Sequence, residues 1–292
     1  MNELTHKEFT HLKIHTQYSI CEGALRTSDL AKFCKTNKIK SVGLCDSNNL
    51  CGALEFSESI AKSRTQPIIG TQISIKYKNH IGKIPLFAKN LVGYKNLIKL
   101  SSKSYLEIED NEEPHCNIDD IEENFEGLIL LSGAFDGLIG KLFFKNLTDE
   151  INLLFNRFKK TFGDSFYVEI QRHGDEGEKL FEKFLLNTSD LLSIPIIATH
   201  EVFYLDQDMH EAHDAYLCVG EKTYVNVKER RKYNNQHYLK TSEEMQTLFS
   251  DLPSALDNNI NFPLRISYRP KNSSPVLPNI QTQEVTGVNE ML

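Results

Sequence analysis

An α/β fold, built as a mostly parallel sheet with helices covering its outside, is what this sequence predicts. Short apolar runs without polar alternation, SVGLC at 41–45, GLILLS at 127–132 and IPIIAT at 194–199, have the length and character of strands buried on both faces. Amphipathic stretches separate them, such as 147–162 with Leu153, Leu154 and Phe158 turned inward. At 292 residues, 40% of them hydrophobic, the chain has interior enough for a single α/β barrel.

Taken in order, residues 10–14 form a first strand, and Thr27 or Ser28 then caps a helix through DLAKFCKTN that buries Leu30, Ala31, Phe33 and Cys34. The strand at 41–45 ends at Asp46, and a helix runs from Leu50 through GALEFSESIAK. PIIG with the alternating TQISIKY reads as a strand over 67–77, and IPLFA as another over 84–88. A third helix, GYKNLIKLSSKSYL, carries Tyr94, Leu97, Ile98 and Tyr105 at helical spacing. The acidic stretch EIEDNEEPHCNIDDIEENFEG holds a proline and reads as a solvated loop with a short helix at 118–123. Strands at 127–132, 165–171 and 194–199 alternate with helices at 147–162 and 177–192. Beyond Tyr204 the chain turns mainly helical, as a closing cap would. From Pro263 onward FPLRISYRPKNSSPVLPNIQTQ has no sustained period, so residues 1–262 read as the domain and 263–292 as a linker.

Composition narrows the class of function. No apolar run approaches the length of a membrane span, and the polar N-terminus MNELTHKEFTHLKIH lacks the regions of an export signal, so a cytoplasmic protein without membrane contact is expected. The six cysteines (Cys21, Cys34, Cys45, Cys51, Cys116 and Cys218) form no CxxC pair and read as reduced thiols. A net charge of −7 gives no general attraction to nucleic acid, so contact with DNA has to come from a local patch or from another domain.

In such folds the working side chains gather at the carboxyl ends of the strands. Alternation along the first strand turns His11, Lys13 and His15 the same way. Three imidazoles there would suit a divalent metal, but an ammonium has no lone pair to give. The other strand ends offer Glu22, Asp46, Ser47, Gln72, Lys83, Ser132, Ala134, Arg172, His173, His200, Glu201 and Phe203. His200 reads best as a cap on a backbone carbonyl, and His210 with His213 as a spacing that any polar helix face produces. His6, His80, His115 and His237 read as solvated loop residues, and Lys95, Lys99 and Lys103 as a solvated helix face.

The blocks HLKIHTQYS, GLCDSNNLCGALEF, PIIGTQI, AKNLVGYKNLIKLSS, EGLILLSGAFDGLIG, FYVEIQRHG, IPIIATHEVFYL and EAHDAYLCVGEKT follow one another in this order. Together they resemble the N-terminal PHP (polymerase and histidinol phosphatase) domain of bacterial replicative DNA polymerase III alpha subunits, over about residues 9–261. AKNLVGYKNLIKLSS and EAHDAYLC are particular to that polymerase branch. The resemblance implies a distorted (β/α)7 barrel with a helical C-terminal extension, and up to three divalent metals on nine side chains. For a full-length protein it implies DNA-directed DNA polymerase activity, in domains beyond this portion.

Carried over position by position, Lys13 stands where the family has the first histidine of its HxH motif, and His15 where it has the second. Glu22 takes an acidic ligand position. Ser47 replaces a histidine, Gln72 a glutamate, Lys83 a histidine, and Ala134 a cysteine or histidine; Glu201 stands for an aspartate and Phe203 for the last histidine. Only His15, Glu22 and Glu201 remain good ligands. The resemblance thus implies a vestigial site without its metals and without a catalytic residue, in which Lys13 or Lys83 neutralises Glu22 or Glu201. It also implies partners: the polymerase domains of the same chain, a proofreading exonuclease subunit and other replicase subunits, and DNA through the full-length protein. A metal-dependent phosphoesterase or 3′–5′ exonuclease working through the site itself is the alternative.

Overall fold

The strand that sequence reasoning places first is short. In the computed structural model, which describes residues 8–109 and 111–275, only Lys13–Ile14 pairs as β1. It is followed by α1 (Thr27–Thr36), β2 (Ser41–Ser47), α2 (Ala53–Lys62), β3 (Gln66–Tyr77), β4 (His80–Ala88) and α3 (Leu91–Leu106). The acidic stretch supplies a two-residue strand β5 (Cys116–Asn117) and α4 (Ile118–Glu123), whose start is closed by a reciprocal capping box between Asn117 and Asp120. Next come β6 (Leu128–Leu131), α5 (Leu138–Phe144), α6 (Thr148–Phe162), β7 (Phe166–Ile170) and α7 (Glu178–Leu192). Then β8 (Ile196–Ala198) and β9 (Glu201–Val202) precede α8 (His210–Glu221), α9 (Ser242–Leu248) and α10 (Pro253–Asn261).

Hydrogen-bonded neighbours run β8, β7, β6, β4, β3, β2, β1, β9. The two ends of that path are one stretch of chain, because only Thr199 and His200 separate β8 from β9. Its first half pairs with β7 and its second with β1, so the sheet closes on itself with seven staves: β1, β2, β3, β4, β6, β7 and the joined β8 and β9. This is the distorted seven-stave barrel, with its helical C-terminal extension.

The distortion lies in β4, which runs antiparallel to both of its neighbours. Tyr77 pairs with His80 across a two-residue loop, and a parallel return would need a crossover of a dozen residues or more. The short gap between the strands at 67–77 and 84–88 was therefore a legible sign of a hairpin.

Alternation along the staves sorts the core into two. Val42, Leu44, Ile69, Ile73, Leu86, Leu130 and Val168 point outward beneath the helices, while Cys45, Ile68, Phe87, Ile129, Leu131, Tyr167 and Ile197 point inward. Two helices are turned otherwise than their periodicity suggested. α3 buries Gly93, Leu97, Leu100 and Ser104, leaving Ile98 and Tyr105 in solvent. Leu153 of α6 is likewise exposed, and Ile151, Leu154, Phe155, Phe158 and Phe162 form its inner face. A 15- or 16-residue helix with apolar residues on more than one side has two candidate faces, and packing against the barrel selects one.

The run from Pro263, a connector by composition, lies against the barrel as far as residue 270. Phe262 and Ile266 belong to the inward-facing core, with the Phe262 ring 5.4 Å from that of Phe87. Gln66 donates to the carbonyls of Pro263 and Ile266, Ser267 N donates to Lys89 O, and Ser57 Oγ donates to Pro270 O. Gln66 opens β3 and Lys89 follows the reversed stave β4, both at the end of the barrel where the parallel strands begin, so the tail plugs the floor of the barrel. Such contacts leave no periodicity for a sequence to show. The rest of the stretch that composition reads as a linker, 276–292, and His6 lie outside the described residues.

Candidate functional site

Each inward parity that builds the floor of the barrel continues to its other end. Ser47 lies two residues past Cys45, Gln72 four past Ile68, Glu169 two past Tyr167, and Glu201 four past Ile197. All four therefore turn inward at the carboxyl ends of their staves. Lys83 precedes Phe87 by four on the reversed stave β4 and so reaches the same end. Glu22 arrives on the loop after β1, which folds back so tightly that a Cβ on Gly23 would come 2.3 Å from Thr16 O.

Lys13, fully buried, has its Nζ 3.3 Å from Glu201 Oε2 and 3.4 Å from Glu169 Oε1. His15 Nε2 lies 2.9 Å from Glu201 Oε1 and 2.8 Å from Gln72 Nε2, and Gln72 also donates to Glu201. On the other side of His15, Nδ1 lies 3.2 Å from Ser19 Oγ and 4.0 Å from Glu22 Oε2. Glu22 accepts from Lys83 Nζ at 2.5 Å and from Ser47 Oγ, and Arg231 Nη1 stands 3.5 Å away. Phe203 stacks on His15 with ring centroids 4.7 Å apart. Ala134, also buried, lines with Glu169 a void of about 10 Å³. Eight of the nine positions singled out by the resemblance are thus joined by direct contacts, and Ala134 borders the group through Glu169.

The electrostatics follow from these pairs. Burial alone would push the Lys13 ammonium down, but Glu169 and Glu201 outweigh it and hold the group above its ordinary range. Burial would raise Glu22, yet Lys83 and His15 bring its carboxyl down to about 2. Glu201 is likewise held well below the usual carboxylate range, against its burial, by Lys13 and by its hydrogen bond from His15. Asp46 keeps a raised value through burial, although Thr16 N, Thr16 Oγ1 and Ser19 Oγ all donate to it. Its part is to fix the turn that carries Ser19 and Glu22.

Beside this cluster runs a column of buried imidazoles. His11 meets His200 edge-on, His200 stacks on His173 at 4.5 Å, and His173 stacks on His237 at 4.0 Å with 8° between planes. His237 is buried rather than solvated because residues 233–239 fold back over β9: His237 Nδ1 donates to Glu201 O, and Phe203 N donates to His237 O. His115 is also buried, bonded to Glu113 O. His11 turns away from Lys13 and His15 to bond Lys240 O. His200, His210 and His213 bond the carbonyls of Tyr238, Tyr233 and Glu22 respectively, as helix- and strand-end histidines commonly do.

His173, Asp175 and His237 each bring a ligand atom within 4.8 Å of the others. An ion must lie in the plane of each imidazole that binds it, because the lone pair lies there. Two nearly parallel planes a ring's thickness apart share no such point, so these rings are a stacked pair and not converging donors.

Glu169 and Arg231 are the members that sequence reasoning missed. Glu169 left a signal, as the one charge inside the apolar run FYVEI and on the parity of Tyr167. Arg231 left none, for it stands in an irregular charged loop.

The family model for the PHP domain matches residues 11–173. The DNA polymerase III subunit alpha of Caulobacter vibrioides is 36% identical across 99% of this chain and 26% of its own length. That of Borreliella burgdorferi is 35% identical across 94% of this chain and 25% of its own. The chain therefore spans about a quarter of the curated relatives it matches. A solved amidohydrolase from Chromobacterium violaceum covers 66% of this chain and is itself covered to 87%, with a TM-score of 0.45 and 10% identity, a likeness too slight to carry an argument. Among the described residues no helix is long and apolar enough to cross a membrane.

Proposed function

Since the chain belongs to the PHP domain family, we propose that it is the N-terminal PHP domain of a replicative DNA polymerase III alpha subunit, retained as a scaffold after loss of its metal site. The observation that carries this reading is Lys13, an ammonium held between Glu169 and Glu201 where a metal ligand is expected. The donors do not suit a divalent cluster: Lys13 and Lys83 carry no lone pair, Ala134 and Phe203 offer none, and Glu22 and Glu201 are each already paired with a cation. Hydrolysis of a phosphoester at such a site requires bound metal to activate water and neutralise the phosphate, so no hydrolytic step is assigned to it. What the residues do instead is hold the mouth of the barrel together by ion pairs.

In this reading the natural chain continues into polymerase domains that extend DNA in the cytoplasm. The PHP domain braces them and offers a surface to the proofreading exonuclease subunit and other replicase subunits. A metal-dependent phosphoesterase or 3′–5′ exonuclease is the competing reading, favoured by the survival of His15, Glu22 and Glu201 side by side. Metal content by plasma mass spectrometry, on protein purified without chelator, separates the two. The scaffold reading expects no tightly bound zinc or manganese and no release of p-nitrophenol from a model phosphoester. Two or more ions per chain, with activity that chelation abolishes, would overturn it.

A further inference from the structure

We propose that the floor of the barrel carries a binding surface for the sugar–phosphate backbone of a nucleic acid, built from three segments of this domain itself and distinct from any that polymerase domains would supply. Residues 35–40 lead from α1 into β2, residues 62–66 lead from α2 into β3, and residues 265–271 belong to the tail that closes the floor. Ser63 Oγ donates to Ala31 O, Thr65 Oγ1 to Ile39 O and Gln66 N to Lys40 O, which fixes the first two segments side by side. Gln66 Nε2 then holds the tail through Ile266 O.

These eighteen residues contain eight lysines and arginines and no aspartate or glutamate. The rest of the chain has 40 Asp and Glu against 25 Lys and Arg (33 − 8), so positive charge is concentrated here against the general balance. Neighbouring segments supply carboxylates to three of the eight: Lys40 pairs with Glu8, Arg265 with Asp164 at 3.3 Å and Arg269 with Glu58 at 3.0 Å. Lys35, Lys38, Lys62, Arg64 and Lys271 are exposed and have no carboxylate within ion-pair range among the described residues. The helix dipoles account for Lys35 and Lys62, each in the last turn of its helix. Lys38 and Arg64 stand one residue past the caps in left-handed backbone, with φ of 53° and 62°, where glycine or asparagine is the relaxed choice. Lys271 lies on no helix at all.

Between the tail and the start of β3 opens a recess of about 510 Å³, bordered by Gln66, Pro67, Ser267, Arg269 and Lys271. A recess of that size takes a segment of backbone and not only a lone ion. Among the described residues no large apolar side chain of the three segments is exposed, so the surface offers neither an apolar seam for a protein partner nor a wedge for a bilayer. Five unpaired cations around a polar recess suit a row of phosphates, which they would neutralise with release of counterions and without reading the bases.

The test is fluorescence anisotropy of a labelled single strand of about 20 nucleotides, and of the matching duplex, titrated with the 292-residue chain between about 50 and 200 mM salt. Five phosphate contacts predict that log K falls with log[salt] with a slope of about −3.5 for the single strand or −4.5 for the duplex, and the form bound more tightly identifies the ligand. Substituting Lys38→Gln, Arg64→Gln and Lys271→Gln together should make that slope shallower by about 2 to 3 and leave the melting temperature unchanged, because all three side chains are exposed. Lys179→Gln with Lys183→Gln, exposed on α7, should alter neither. Absence of binding by both forms at the lowest salt overturns the surface, as does a slope that survives the triple substitution. A labelled polyglutamate of equal charge that binds as tightly as the nucleic acid also overturns it, because the cations would then serve an acidic polypeptide.

Discussion

The ammonium of Lys13 lies 3.3 Å from the carboxylate of Glu201 with both side chains shut away from water. Two residues 188 positions apart in sequence (201 − 13) thereby join β1 to β9, the pairing that closes the barrel. A charge buried in this way is tolerated only while its partner is present, because either one left alone would bear its full desolvation cost.

Replacing Lys13 with Met should therefore destabilise the fold by about 3–5 kcal/mol, since Glu169 and Glu201 would lose their shared counter-charge. Urea denaturation at pH 7 measures it. Adding Glu169→Gln to the Lys13→Met variant should recover part of the loss, and a double-mutant cycle with no coupling would refute the pairing.

Restoring an imidazole is expected not to restore chemistry. Lys13→His leaves Ser47, Lys83, Ala134 and Phe203 in place, and Phe203 still covers the His15 ring. Manganese-dependent hydrolysis of a model phosphodiester should stay at background, and a clear gain from this single change would show that the remaining donors suffice.

Stability should fall as the solution is acidified from pH 6.5 towards 4. Burial lowers His11 and His173 to about 4 and His200 and His237 well below their ordinary value. In this window the unfolded chain takes up protons that the folded chain refuses, so the contribution is complete above pH 6.5 and is lost on going down. Each imidazole adds a slope of about 1.4 kcal/mol per pH unit. Urea midpoints at pH 7.5, 6 and 5 report the sum; a flat profile would mean that the column is open to water.

At lower pH a second loss follows from Glu22. Its carboxyl is brought down to about 2, so its ion pair contributes fully above pH 4.5 and disappears as the pH falls through 2, on the order of 3 kcal/mol in all. Glu22→Gln should shrink that lower limb, leaving the part due to Glu201, which is also held well below the usual carboxylate range, while sparing the limb between 6.5 and 4, a separation that acid titration monitored by circular dichroism resolves.

Phe262→Ala should cost about 3–5 kcal/mol, as for a fully buried ring in a well-packed interior. Phe262 lies at the point where composition begins to read as linker, and its ring packs on Phe87 and near Tyr167. A change below 1 kcal/mol, read from thermal unfolding, would show the tail to be dispensable.

Strands and helices were legible because their signal is local: 41–45, 118–123 and 147–162 announce themselves through the period of their own residues. The chemical character of the site was legible too, since a lysine between His11 and His15 cannot ligate wherever the chain places it. The hairpin at β3 and β4 could have been read from the length of its connection, and was not.

By itself the sequence determined the elements, the inward parity that carries Ser47, Gln72 and Glu201 to one end of the staves, and the family. The tertiary structure decided which carboxylates face Lys13, that His237 is buried in a ring stack, that Ile98 and Tyr105 of α3 face solvent, and that Phe262 and Ile266 plug the barrel floor. The physical reason is the range of the forces involved. Periodicity is set by residues three or four apart, whereas burial and ion pairing are set by whatever the closed sheet brings together, and β1 and β9 meet from positions 13–14 and 201–202.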